Sequence, residues 1–279
     1  MVLPIPRATR PSLQDIAIAR LPPGTAHGHF RMSRENGRDQ VGRMIDGDGW
    51  LEFEPPMPLV FFQLARRARG LVIDIGANTG LYAFIAASAA RRNRVIAFEP
   101  EQNSLDILRR NIKLNRFGWR IQVAPVALSN RIGQSNLYIP ARTHGLVETS
   151  SSLESSFKPA HSEVISIPTT TLDAFLSGFF WRRSRVALIK IDVEGHETSV
   201  LEGCARTVAR HRPVVFVEVL RNADFAALDA FLRAHDYSDV PLLPNAPICE
   251  KSRVQFDGAS FNHAFVPREG LENFKLKLQ

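Results

Sequence analysis

From residue 71 onward, the chain alternates short apolar runs with longer stretches in which apolar residues recur every three or four positions. The short runs have the length and β-branched content of strands, and the longer stretches have the period of an amphipathic helix. The predicted strands are 71–75, 94–100, 121–128, 186–192, 213–219 and 262–266. The predicted helices are 58–69, 81–90, 104–115, 197–210 and 223–235. This alternation predicts an α/β protein with a largely parallel central sheet and helices on both faces.

Two segments interrupt this alternation. Residues 1–55 are rich in Pro, Gly and Arg and show no sustained period, so they predict an irregular arm or cap before a domain that spans 56–279. Residues 129–171, an insertion between the third and fourth strands, are longer than a typical crossover. Short β-like pieces occur in it at 137–139 and 164–167. The insertion is either a substrate-recognition element or a tolerated surface loop, and the sequence leaves both interpretations open.

The amino-acid composition restricts the possible class and location of the protein only slightly. The hydrophobic content of 44% is ordinary for a globular protein, and no apolar run approaches the roughly 20 residues that span a bilayer. The first 30 residues lack the apolar region of a secretion signal, and the two cysteines fit no metal or redox spacing. We therefore predict a cytoplasmic location. The net charge of +7 comes mainly from arginines, which cluster at 66–69, 91–94 and 182–185, at the ends of predicted elements. Solvated loops are the usual explanation, and an acidic or phosphorylated partner stays open.

The segment Leu71-Val-Ile-Asp-Ile-Gly-Ala-Asn-Thr-Gly80 has the order strand, tight turn, helix. Gly76 and Gly80 allow the backbone to turn sharply near a ligand, and Asn78 lies between them. The helix that follows would direct its free N–H groups into the crevice. The pattern lacks the Gly-x-Gly-x-x-Gly of dinucleotide sites, and Asp74 would repel a pyrophosphate. Asp74 suits a cationic ligand, which favours S-adenosylmethionine over a nicotinamide dinucleotide.

The next two strands also end in candidate cofactor-binding residues. Glu99 ends the second strand, 25 residues after Asp74, and a carboxylate there can accept hydrogen bonds from both ribose hydroxyls. Ala127 lies at the end of the third strand, where a small residue packs either on an adenine ring or only against its protein neighbours. Because ligands of an open parallel sheet bind beyond the carboxyl ends of its strands, these residues are expected to meet at one edge.

The fourth strand ends in Lys190-Ile-Asp-Val-Glu-Gly-His196. Asp192 and Glu194 would point to the same side of the strand, where a carboxylate can take the proton of an acceptor hydroxyl or orient it. The structural alternative is an ion pair with Lys190 and an acid at a helix start. We interpret His196 as a helix-start residue. Asp192 and Glu194 could also bind Mg²⁺ together with Glu218, but only their shared position at strand ends supports this, and we predict no metal site.

Together these residues resemble the FkbM family of S-adenosylmethionine-dependent methyltransferases. The most specific matches are Val-Ile-Asp-Ile-Gly-Ala-Asn-Thr-Gly at 72–80 and Ile-Lys-Ile-Asp-Val-Glu-Gly at 189–195. Further matching segments are 97–100, 111–115, 127–129, 151–153 and 171–173. The similarity covers about residues 70–220. His196 departs from the small residue that the family pattern leads us to expect at this position.

The resemblance implies a Rossmann-like class I methyltransferase fold and methyl transfer to hydroxyl oxygens of sugars, polyketides or other secondary metabolites. It implies active-site roles for Asp192 and Glu194. It also implies cofactor-binding roles for five further residues, namely Asp74, Gly76, Asn78, Gly80 and Glu99. On this basis the chain is predicted to be an S-adenosylmethionine-dependent O-methyltransferase.

The predicted acceptor is a hydroxyl of a sugar, glycan, lipid or secondary metabolite. A nucleic-acid acceptor is disfavoured, because methylases of base amines place an Asn/Asp-Pro-Pro-aromatic turn where this chain has Asp-Val-Glu-Gly. An RNA ribose methyltransferase and a non-catalytic binding module stay open as alternatives.

Overall fold

A computed structural model describes residues 15–140, 150–158, 160–178 and 181–276. Its strands are β1 (Ile16–Arg20), β2 (His29–Ser33), β3 (Leu71–Ile75), β4 (Arg94–Phe98), β5 (Ile121–Ala124), β6 (Ala127–Leu128), β7 (Gly133–Pro140), β8 (His161–Thr170), β9 (Val186–Ile191), β10 (Val214–Glu218), β11 (Tyr237–Pro241) and β12 (Asn262–Pro267). Its α-helices are α1 (Gln40–Gly47), α2 (Met57–Arg67), α3 (Leu81–Ala89), α4 (Gln102–Asn115), α5 (Leu172–Ser177), α6 (Glu197–Gly203), α7 (Ala205–His211), α8 (Phe225–His235) and α9 (Leu271–Leu276).

Seven strands form the central sheet, in the order β11-β12-β10-β9-β3-β4-β5. The five strands from β10 to β5 run parallel, and β12 is antiparallel to both of its neighbours. The chain passes from β3 to β4 on one side and later returns to β9 on the other side of β3. A crevice for ligands is expected at this reversal of strand order, beyond the carboxyl ends of β3 and β9.

Apolar layers cover both faces of the sheet, as the helix and strand pattern predicts. Side chains of adjacent strand residues point to opposite faces, so Val72 and Ile73 belong to different layers. One layer contains α2 and α3, whose buried side chains include Phe84. The other contains α6 and α8, with Val200 and Leu228. The predicted Rossmann-like class I arrangement, with helices on both faces, is confirmed.

The N-terminal segment is not irregular where the structure describes it, from residue 15 onward. Here β1 and β2 form an antiparallel hairpin, and α1 follows. Phe30 of β2 stacks on Phe84 of α3 with ring centroids 5.9 Å apart. The side chain of Asn111 accepts a hydrogen bond from the Ser33 amide (2.8 Å) and donates one to the Thr79 carbonyl (3.0 Å). The hairpin therefore shares the core of the main domain, a long-range packing that the local sequence pattern does not reveal.

The predicted third strand, 121–128, divides at Pro125. Proline has no N–H to donate to a strand ladder, and β5 ends at Ala124. Ala127–Leu128 form β6, which belongs to a separate three-stranded sheet of order β6-β8-β7. The β-like pieces predicted in the insertion are parts of the longer antiparallel strands β7 and β8. Residues 141–149 and 159 of the insertion lie outside the described residues.

Two further elements differ from the prediction. The helix expected over 197–210 is divided into α6 and α7 at Cys204. Strand β11 was not predicted, because it carries a serine and an aspartate among few apolar residues. In the structure Asp239 is buried and accepts a hydrogen bond from His263 of β12 (2.8 Å), which explains how a charged residue is tolerated inside the sheet. In the part of the chain that the structure describes, no helix is long and apolar enough to cross a membrane.

Candidate active site

A cleft of about 890 Å³, including the part open to solvent, lies at the carboxyl ends of β3, β4 and β9. Its walls are formed by the turn after β3, the end of β4, the start of β6 and the segment after β9. Ser151 and Leu153 of the insertion line it from a fifth side. The cleft thus occupies the reversal of strand order, where ligands of an open parallel sheet bind.

The turn after β3 has the backbone shape that its glycines and asparagine predict. Gly76 (φ 73°), Asn78 (φ 50°) and Gly80 (φ 106°) all have positive φ angles, and all three line the cleft. A Cβ on Gly76 would lie 1.8 Å from the backbone oxygen of Asp192, so no other residue fits there. Gly80 precedes α3, whose first residues Leu81 and Tyr82 also line the cleft.

Glu99 fixes the turn as well as lining the cleft. Its carboxylate accepts hydrogen bonds from the amides of Asn78 (2.7 Å) and Glu101 (2.8 Å). A carboxylate has about four lone-pair sites, so two sites are left for ribose hydroxyls. Burial raises the pKa of Glu99 to about 7, although the two amide hydrogen bonds favour its ionised form. Ala127 lines the same part of the cleft beside Leu128 and Phe98, which together offer an apolar wall to a purine ring.

Asp74 differs from the other seven predicted site residues. Its side chain is fully buried and does not line the cleft. It lies on the same face of the sheet as Lys190, which is its partner in the register of β3 and β9. Burial raises the pKa of Asp74 to about 6, and the charge of Lys190 opposes this rise. Asp74 is therefore separated from the cleft, and its charge interacts with that of Lys190.

Lys190 connects the two halves of the cleft. Its Nζ lies 2.9 Å from Oδ2 of Asp192 and 3.4 Å from the backbone oxygen of Gly76, and 5.0 Å from the ring centroid of Tyr82. Burial opposes its charge, yet the neighbouring carboxylates of Asp192 and Asp74 raise its pKa above the ordinary value. The ion pair expected between Lys190 and Asp192 is therefore present, and both partners line the cleft.

Glu194 lies beyond Asp192 with a positive φ of 57° and also lines the cleft. Burial raises its pKa to about 8, and the charges of Asp192 and Glu197 add to the effect. Glu218, at the end of β10, has its pKa raised to about 11 by burial and by Asp192 and Glu194. Among the described residues, no three His, Cys, Asp or Glu side chains are grouped as metal ligands.

His196 has more contacts than a helix-start residue requires. Its Nδ1 lies 2.6 Å from Oε1 of Glu154 in the insertion, and its Nε2 lies 2.9 Å from the hydroxyl of Ser129. Ser152, next to these residues, donates a hydrogen bond to the backbone oxygen of Glu194 (2.7 Å). The insertion is thus attached to the segment after β9. The only sequence signal for this contact was the Ser-Ser-Leu segment of the family pattern.

A second group of residues, which meets the cleft wall at Tyr82, is not predicted by the sequence. Glu54 precedes α2, and one of its oxygens lies 3.4 Å from the Tyr82 hydroxyl and 3.3 Å from the Asn262 side-chain nitrogen. Burial raises the pKa of Glu54, and the charge of Asp192 adds to the rise. These three residues come from distant parts of the chain, so no local motif announces them.

Similarity to known proteins agrees with this geometry. The sequence profile of the Methyltransferase FkbM domain matches residues 74–238, more than half of the chain. None of the curated protein sequences matches the chain. An FkbM methyltransferase from Methylobacillus flagellatus KT is 17% identical over 70% of this chain, with a TM-score of 0.45. This chain spans 43% of that structure's length.

Two other solved structures are similar to this chain at low identity. An S-adenosylmethionine-dependent O-methyltransferase from Thermotoga maritima is 10% identical over 81% of this chain and 70% of its own, with a TM-score of 0.45. The cofactor-bound Rv0187 from MTB is 13% identical over 76% of this chain and 78% of its own, with a TM-score of 0.41. The match of the family profile to residues 74–238 shows that the chain belongs to the FkbM family of S-adenosylmethionine-dependent methyltransferases.

Proposed function

We propose that this chain transfers the methyl group of S-adenosylmethionine to a hydroxyl oxygen of a sugar, glycan, lipid or secondary metabolite. The observation that carries the proposal is the pair of carboxylates, Asp192 and Glu194, that line the cleft where the segment after β9 meets the insertion. A hydroxyl must lose its proton during methyl transfer, and a carboxylate beside it can accept that proton. A cytoplasmic location is part of the same proposal.

The cofactor half of the cleft is formed by the turn after β3, the end of β4 and the start of β6. Glu99 would accept hydrogen bonds from the ribose hydroxyls through its remaining lone pairs, and Ala127 would pack against the adenine. The turn at Gly76, Asn78 and Gly80 would hold the amino-acid part of the cofactor. When bound, S-adenosylmethionine supplies an electrophilic methyl group. Asp74 supports this half indirectly, because its charge stabilises the Lys190 ammonium beneath the turn.

In the acceptor half of the cleft, the two carboxylates have different roles. Lys190 holds Asp192 in place through a 2.9 Å ion pair, so Asp192 suits the task of orienting the acceptor hydroxyl. Glu194 has a pKa of about 8, close to the pH at which a general base is most effective. We assign the hydroxyl proton to a carboxylate oxygen of Glu194. Since the displacement is in line, the rest of the rate enhancement comes from positioning.

The Asp192 carboxylate disfavours an RNA acceptor at this site. The phosphates of RNA would approach this carboxylate, which repels them, and the neighbouring Lys190 ammonium is already paired with it. An uncharged polyhydroxyl acceptor meets no such repulsion. We therefore place the RNA ribose alternative second.

Calorimetric titration with S-adenosylhomocysteine, with NAD as the parallel ligand, tests the cofactor half. We expect micromolar affinity for S-adenosylhomocysteine and none for NAD. Binding of NAD alone would contradict the assignment of the turn after β3, and binding of neither would favour a non-catalytic module.

Two variants test the acceptor half, with methyl transfer from labelled S-adenosylmethionine to a panel of sugars and lipid glycosides as the readout. Asp192→Asn and Glu194→Gln should each lower turnover by about 10²- to 10⁴-fold and change S-adenosylhomocysteine affinity only a few-fold. Glu163→Gln, an exposed position on β8, is the matched control and should leave both quantities unchanged. Full turnover in both site variants would mean that Asp192 and Glu194 have structural roles and no catalytic ones.

A further inference from the structure

The turns at the opposite edge of the sheet are strongly basic. Residues 66–70, 90–94, 116–120 and 182–185 precede β3, β4, β5 and β9, and together they contain eleven arginines and no aspartate or glutamate. Ten of these arginines are exposed, and only Arg120 is buried. We call this set of four turns the basic face.

The four turns lie side by side because the strands that they precede are neighbours in the sheet and run parallel. Hydrogen bonds connect them directly. The Leu71 amide donates to the Arg185 carbonyl (2.7 Å), and the Arg92 guanidinium donates to the Ala68 carbonyl (2.8 Å). Three strand spacings of about 4.8 Å make the row roughly 14 Å wide. Clusters that are separate in the sequence therefore form one surface.

Helix ends explain only a small part of this charge. Helices α2, α3 and α4 end at this edge, and each helix C-terminus carries about half a negative charge. Eleven guanidinium groups far exceed that. The formal net charge of the whole chain is +7, so the remainder of the chain is on balance acidic. Beside β10, the next strand along the sheet, Arg212 is paired with Glu269 (2.7 Å).

An exposed tryptophan lies within the basic face. The side chain of Trp119 is 60% exposed, and the guanidinium carbons of Arg94 and Arg120 lie 4.7 Å and 4.5 Å from its ring centroid. Tryptophan and arginine side by side are typical of the interface between a bilayer and water, where the indole lies among headgroups and the guanidinium pairs with phosphate. A row of short turns also suits a flat partner better than a strand of nucleic acid.

From these observations we propose that the basic face docks the protein on the surface of an anionic lipid bilayer. The face and the cleft lie at opposite ends of strands about five residues long, so the cleft is held about 17 Å or more from the headgroups. It then opens toward the aqueous side, where an acceptor in solution or at the end of a long headgroup reaches it. An RNA bound to the basic face would be directed away from the cleft.

Co-sedimentation of the full chain with vesicles tests this docking. We expect binding to an equal mixture of phosphatidylglycerol and phosphatidylcholine, weakening as salt is added, and no binding to phosphatidylcholine alone. The variant Arg69→Glu/Arg91→Glu/Arg183→Glu should bind on the order of 100-fold more weakly, because each arginine near an anionic bilayer contributes about fivefold. Its S-adenosylhomocysteine affinity should be unchanged, which separates loss of docking from misfolding and from failure of the proposed function.

A second triple variant, Arg43→Glu/Arg131→Glu/Arg253→Glu, has the same net charge and changes exposed arginines outside the basic face. It should bind the anionic vesicles nearly as well as the native chain. Equal loss in both triple variants would mean that net charge alone drives binding, and would overturn the proposal. So would binding to an RNA oligonucleotide without binding to anionic vesicles.

Tryptophan fluorescence tests independently which face of the protein contacts the bilayer. Anionic vesicles should shift the tryptophan emission to shorter wavelength, and Trp119→Phe should abolish most of that shift, although Trp50 and Trp181 are still present. A shift that persists in Trp119→Phe would contradict docking through this face.

Discussion

Nδ1 of His196 lies 2.6 Å from Oε1 of Glu154, although 42 residues separate them in the chain. The other ring nitrogen meets the hydroxyl of Ser129, at the start of the insertion. One imidazole therefore attaches both the beginning and the middle of the insertion to the segment after β9. Because Ser151 and Leu153 line the cleft, this attachment sets the position of the wall that faces the acceptor.

Replacing His196 by Ala should loosen that wall. Loss of two hydrogen bonds, each contributing about 1 kcal/mol or less, should accelerate amide hydrogen exchange across 150–158 by about tenfold. Mass spectrometry of the exchanged peptides measures this rate. His29→Ala, at an exposed position on β2, is the control and should leave the rate unchanged. Unaltered exchange in His196→Ala would show that the insertion is held by other contacts.

Replacing Lys190 by Met should destabilise the fold. The variant leaves Asp192 and Asp74 close together without their shared cation, which should lower the free energy of unfolding by about 2 to 4 kcal/mol in urea titrations. Adding Asp192→Asn should restore at least about 1 kcal/mol, because the two residues are coupled. Strictly additive losses would contradict the coupling.

Replacing Gly76 by Ala should also damage the turn after β3. The new Cβ would collide with the backbone oxygen of Asp192, and φ of 73° is strained for alanine. We expect a loss of about 2 to 5 kcal/mol in unfolding free energy and greatly weakened S-adenosylhomocysteine binding. Gly118→Ala is the matched control, since nothing lies within 4 Å of its added Cβ. Similar stability of both variants would show that the turn can move.

The raised pKa of Glu194 predicts how stability depends on pH. The carboxyl ionises near 4.5 in the unfolded chain and near 8 in the folded one, so between these values the folded state holds more protons. Its contribution to stability is therefore complete below about pH 4.5 and is lost as pH rises through about 8. Urea titrations from pH 5 to 8 should show a steeper decline for the native chain than for Glu194→Gln. Parallel pH profiles would mean that Glu194 has an ordinary pKa.

The sequence predicts the centre of the sheet well, because each parallel strand there is largely apolar and mostly buried on both faces. The residues at the carboxyl ends of those strands follow automatically, since parallel strands place their ends at one edge. Seven of the eight predicted site residues line the cleft for this reason. Asp74 is the exception. Side chains along β3 alternate between the two faces of the sheet, and the side chain of Asp74 points toward a helix layer instead of the cleft.

Contacts between segments that are far apart in the sequence could not be predicted from local sequence patterns. Glu54 reaches the site from the segment before α2, and Glu154 reaches it from the insertion, so neither shares a motif with the strand ends. The basic face has the same origin. Its clusters were visible in the sequence, but only the strand order places four of them in one row.

The position of β12 affects how the protein folds during synthesis. This strand, formed by Asn262–Pro267, lies between β10 and β11, so β11 has no neighbour in the sheet until β12 is in place. A nascent chain still attached to the ribosome exposes the β10 edge and the whole of β11 until residue 267 has emerged. Unpaired strand edges are prone to aggregation, so chaperone protection matters most in this late interval of translation.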